Sequence, residues 1–118
     1  MQIMPVNRMP QTGLRQAPDS TIARQIKALA RGEASIHLTR ERAWASITFS
    51  GLRHCFSIEW PDAADTAAVQ ELARILPDHE FAIPGYFVAD IVITQQSDLR
   101  LLVETLCIVD PVYALHES

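Results

Sequence analysis

Two apolar runs, YFVADIVIT and LRLLVETLCIVD, stand either side of a polar QQSD segment near the end of the chain. Neighbouring residues on a strand point to opposite faces, so each run can be sorted into two sides. Phe87, Ala89, Ile91 and Ile93 make one side of the first run; Val88, Val92 and Thr94, with Asp90 among them, make the other. The second run divides into Leu101, Val103, Thr105 and Cys107, and Leu102, Glu104, Leu106 and Ile108. A hairpin turning around Gln96 to Asp98 is therefore apolar on both faces, and each face needs a cover. A turn of odd length groups Leu101 to Cys107 with the Ile91 face and sets Asp90 opposite Glu104. An even turn instead buries Glu104 against Ile91, and an unpaired buried carboxylate is costly, so the odd register is expected.

A second hairpin is read in WASITFSGLRHCFSIEW, Trp44 to Trp60. A two-residue turn at Ser50-Gly51 would place Phe49 opposite Leu52, Ile47 opposite His54, Ala45 opposite Phe56 and Ala43 opposite Ile58. His54 and Cys55 then point to opposite faces and cannot act as a dyad: His54 falls at the core margin, Cys55 on the far side. Ser35 to Thr39, with Ile36 and Leu38, reads as a short strand or a lead-in to the hairpin.

Two helices are expected. Ile22, Ile26 and Leu29 share a face from about Ser20 to Arg31, with Asp19 or Ser20 able to cap the start and Gly32 the end. A second helix begins at Pro61-Asp62, carries Val69, Leu72 and Leu76 on one face, and stops at Pro77. Pro84-Gly85 suits the centre of a type II turn. Residues 1–18, with three prolines and no periodicity, read as a flexible arm preceding a single domain over 19–118. The expected fold class is α+β: an N-terminal helix, then ββαββ forming a four- to five-stranded antiparallel sheet with helices packed on it.

The 118-residue length and 48% hydrophobic content fit one ordinary globular core. No apolar run reaches the roughly 20 residues of a membrane helix, and the first residues lack the apolar stretch of a secretion signal. Two cysteines, Cys55 and Cys107, make neither a CxxC clip nor a disulfide framework. The expectation is a cytoplasmic protein with reduced thiols, and the preference for Arg over Lys and the many Ala residues point to a GC-rich bacterial genome. Residues 1–60 carry eight Lys/Arg and four Asp/Glu, residues 61–118 two and ten, so the halves are opposite in charge. Their meeting within the fold is expected over a nucleic-acid surface, given a net charge of −4.

Catalytic spacing is absent. There is no phosphate-cradling glycine loop and no GxSxG. His37, His79 and His116 stand apart with no HxxxH or HxH, so neither a metal nor a cofactor is expected, and Asp78-His79-Glu80 reads as a solvated loop tip. The expected function is a protein-interaction module that self-associates as a homodimer, through the sheet or the N-terminal arm, with Val88, Val92, Leu102, Leu106 and Trp44 as interface candidates. One alternative is a small-ligand site or simple acid/base enzyme on Asp90 and Glu104, with His54 or His37 nearby. Another is nucleic-acid binding by the basic N-terminal part.

Overall fold

A computed structural model describes residues 17–31, 33–61 and 66–111. Helix α1 (Pro18–Leu29) leads into strands β1 (Ser35–Ala45) and β2 (Ser50–Glu59), then helix α2 (Thr66–Ile75) with a 3-10 turn at Leu76–Asp78, then β3 (Tyr86–Gln96) and β4 (Arg100–Val109). The strands form one antiparallel sheet in the order β1-β2-β4-β3, so the fold is α+β. Of the arm expected over residues 1–18, residues 1–16 lie outside the described residues, as do the cap at Gly32 and the helix start at Asp62, while Ala17 and Pro18 belong to the start of α1.

Helix α1 starts earlier than its pattern predicts, because Pro18 takes the first helical position, where its missing N–H is no loss. Neither Asp19 nor Ser20 is the cap. Ala17 holds that place without a side-chain bond, and the Ser20 hydroxyl instead donates to the Ala17 carbonyl at 3.3 Å. The left-handed residue after the helix is Arg31, with φ 62°, a conformation that L-residues adopt at some cost. Ile22 and Ile26 of α1 and Val69, Leu72 and Leu76 from α2 and its 3-10 turn join Phe56, Ile58, Leu101, Val103 and Cys107 in one core cluster. Pro84-Gly85 turns the chain into β3, with Gly85 at φ 85° and the Tyr86 N–H donating to Ile83 at 3.1 Å.

The first hairpin departs from its expected register. Its loop is Ser46 to Phe49, closed by the Ser46 N–H to the Phe49 carbonyl (2.8 Å) and by the Phe49 N–H to the Ser46 hydroxyl (3.1 Å). Ala45 therefore pairs with Ser50, Ala43 with Leu52, Glu41 with His54, Leu38 with Phe56 and Ile36 with Ile58. The segment around Ile36 is the full partner strand of β2, and Ile47 is left wholly exposed on the loop. Leu52, His54, Phe56 and Ile58 keep their common face, because they alternate along one strand that has no bulge in its pairing with β4.

Bulges account for the other departures, since one extra residue exchanges the two faces beyond it. β1 breaks register at Thr39, and β3 at Ala89 and at Thr94. Ile91 and Ile93 face the helices with Thr105 and Val103, but beyond the Ala89 bulge Val88 joins them, opposite Cys107, and Phe87 turns to the other face. The last hairpin closes from the Ser97 N–H to the Arg100 carbonyl (2.9 Å) with Gln96 opposite Leu101, an even loop and not the odd turn expected, and the Thr94 bulge restores the faces. Asp90 is then opposite Leu106 and Val92 opposite Glu104, so the directly opposed carboxylate pair expected from the sequence does not form.

Gly51 is a strand residue whose role is close approach to a neighbouring strand. A Cβ placed there would overlap the backbone carbonyl oxygen of Cys107 on β4. Gly51→Ala should push β2 and β4 apart and cost about 1–3 kcal/mol, the usual range for overpacking. Urea denaturation checks this, and a midpoint equal to that of the parent chain would contradict it.

Candidate functional site

Two places in the fold gather chemistry, one on each face of the sheet. On the helix-covered face, His54 sits at mid-strand in β2 between Glu41 of β1 and Thr105 of β4. Strand alternation sends its ring inward with Phe56 and Ile58, and it is 0% exposed. Among the described residues neither ring nitrogen has a hydrogen-bond partner, and the Thr105 hydroxyl across from it also lacks one. Nε2 lies 3.6 Å from Glu41 Oε1, beyond hydrogen-bond reach. Asp19, in the first turn of α1, brings a second carboxylate, and one donor atom from each of Asp19, Glu41 and His54 lies within 4.8 Å of the others.

Burial is the largest influence on His54 and lowers its pKa from the ordinary imidazole value, against an opposite pull from Glu41 and then Asp19. The neutral ring is thus favoured in the folded chain.

The other face is laid out in rows by the strand register. Trp44, Gly51, Ile108 and Phe87 form one row, and Arg42, Arg53, Leu106 and Asp90 the next. Arg40, Cys55, Glu104 and Val92 follow, then His37, Ser57, Leu102 and Gln95. Glu104 lies 3.9 Å from both Arg42 and Arg53, so its charge is met from the neighbouring strands. Phe49 and Phe87 meet edge to face at 6.5 Å, and with Val92 at 43% they remain substantially exposed. Leu106 is buried, while Leu102 and Trp44 are half-buried.

The sequence candidates are therefore divided between the faces. Asp90, Glu104, Val92, Leu102, Leu106 and Trp44 share the second face, whereas His54 and Val88 belong to the first. His54 cannot serve an acid/base site built on Asp90 and Glu104, because the sheet lies between them. His37 does share their face, but strand β2 lies between it and Glu104. Surface depressions lined by Gln95, Gln96, Ser97, Arg100 and Leu102, and by Leu29, Ala30, Glu33, Ala68 and Glu71, include none of Asp90, Glu104 and His54. Sequence reading passed over Asp19 and Glu41, since positions 19, 41 and 54 have no ligand spacing and meet only when α1 is laid on the sheet.

Both cysteines are free thiols. No known protein family matches the chain, and no curated protein is significantly similar to it.

Two outcomes follow from these environments. Burial pushes the Cys107 thiol up to about 12, so a thiol reagent at neutral pH should modify Cys55 in the native chain and reach Cys107 only after denaturation. Peptide mapping of the labelled protein reads this directly. For His54, the folded ring holds a proton less tightly than the unfolded one, so stability is complete above the unfolded pKa of about 6.5 and falls as pH drops through that value. Denaturation midpoints should be lower at acidic than at neutral pH, and His54→Leu should flatten that dependence; an equal slope in the variant would assign it to other groups.

Proposed function

We propose that this chain is a protein-interaction module that self-associates, two copies packing their second sheet faces together as a symmetric dimer. The observation that carries the reading is the order of charge across one row: Arg42 and Arg53, then Leu106, then Asp90. A two-fold axis parallel to the strands, between β2 and β4, sets β1 of one copy over β3 of the other and keeps every row in level. Arg42 then faces Asp90 of the partner subunit, Arg53 lays its stem on the partner subunit's Leu106, and Trp44 meets the partner's Phe87. The exposed rings of Phe49 and Phe87 would be covered in the same step.

The face is large enough. Four strands about 4.8 Å apart, with a rise of about 3.3 Å per residue over some ten residues, give a footprint on the order of 600 Å². That approaches the roughly 800 Å² of accessible surface per partner in a standard interface, to which side-chain relief adds. A polyanion is the competing occupant, drawn by Arg40, Arg42 and Arg53. Glu104, within 3.9 Å of two of these arginines, and Asp90 in the row of Arg42 weigh against it. Free thiols at Cys55 and Cys107 suit a reducing compartment such as the cytoplasm, where we place the dimer.

Sedimentation equilibrium at micromolar concentrations should give twice the chain mass. Arg42→Glu should weaken the dimer at least about tenfold, because like charges facing across an interface cost several kcal/mol. Adding Asp90→Arg to that variant should restore association. A monomer at high micromolar concentration, or a double variant no tighter than the single one, would refute the arrangement.

A further inference from the structure

We propose that Asp19, Glu41 and His54 form a binding site for one divalent transition-metal ion of the zinc class, which ties the first turn of helix α1 to the β1-β2 hairpin. Three independent parts of the chain supply it: a helix start, an edge strand and an inner strand. The donor atoms already lie within 4.8 Å of one another. Zinc bound at about 2.0–2.2 Å needs its ligands roughly 3.3–3.6 Å apart, so closing the site takes about an ångström of movement. Side-chain rotation of half-buried Asp19 and exposed Glu41 can provide it, while His54 is held in place by the core.

The acidic pair alone would not make a site. The second observation is His54 itself: a wholly buried ring, beside both carboxylates, in which neither nitrogen is hydrogen-bonded by any of the described residues. Buried polar atoms in folded proteins nearly always have partners, and an imidazole lone pair facing two carboxylate oxygens is a metal-donor set. One cation would engage the ring nitrogen and offset the repulsion between Asp19 and Glu41. The imidazole selects against magnesium and calcium, which take oxygen shells. Three protein donors leave a fourth position for water. Thr105, directly opposite His54, adds a buried hydroxyl without a partner of its own. Access is from the exposed Glu41 side, since β1 is an edge of the sheet.

The test uses the untagged full chain, stripped with a chelator, and zinc chloride as titrant. Calorimetry should give saturable binding of one ion per chain, and zinc should raise the melting temperature, because an ion that prefers the folded state stabilises it. Nitrogen NMR should move the His54 ring signals and leave those of His37, His79 and His116 in place. Asp19→Asn and Glu41→Gln reach the surface and spare the core, and each should weaken zinc at least about tenfold, as even outer-sphere changes can. Binding with unequal ring shifts at His54 and loss in both variants establishes the site. Absence of one-to-one binding, or affinity unchanged in both variants, overturns it. Neither result bears on the sheet-to-sheet dimer, whose residues lie on the opposite face.

Discussion

Strands β2 and β4 lie side by side at the middle of the sheet, and their pairing joins two hairpins distant in sequence. It stacks Phe56 on Val103 and Ile58 on Leu101, the platform on which both helices rest. It also brings the β2 backbone at Gly51 too near Cys107 for any side chain to intervene. With that contact made, the helices can cover one face only, and the residues of the other are set out in level rows. Each feature with chemical interest, the enclosed imidazole and the banded charges, derives from this arrangement.

The sequence made some of this legible and not the rest, for identifiable reasons. Helix faces at Ile22/Ile26 and Val69/Leu72/Leu76 could be read because a 3.6-residue period survives small errors in the helix ends. The inward set Leu52, His54, Phe56 and Ile58 was legible because alternation within one regular strand does not depend on which residues its partner sets opposite. The turn was not. Ser50-Gly51 resembles a hairpin dipeptide, but Gly51 is required by a strand that pairs only later in the chain, and nothing local announces that. Bulges at Thr39, Ala89 and Thr94 are similarly silent in the alternation, and the one at Ala89 moved Val88 to the helices and Phe87 away from them.

His54 illustrates how a core can hold a polar group in reserve. Its neighbours in the strand ladder, Glu41 and Thr105, are themselves polar, so a band of hydrogen-bonding groups spans three strands of the helix-covered face. An imidazole placed in that band costs less than one among leucines alone, yet its nitrogens remain without partners. Such a residue contributes little to packing that Leu could not supply. The carboxylates of Asp19 and Glu41 beside it give the band a sign as well as a polarity.

The interrupted outer strands have a consequence for how this molecule meets its surroundings. Both rims of the sheet, β1 and β3, depart from regular pairing, and the β1 rim also carries Arg40-Glu41-Arg42 in succession. At two of the irregularities a threonine hydroxyl donates to the neighbouring strand, Thr39 to the Cys55 carbonyl and Thr94 to that of Leu102. A twisted, charged rim makes a poor template for an incoming ribbon, which is how natural sheets resist fibrillar growth. The molecule is thereby guarded at its margins against open-ended growth by strand addition.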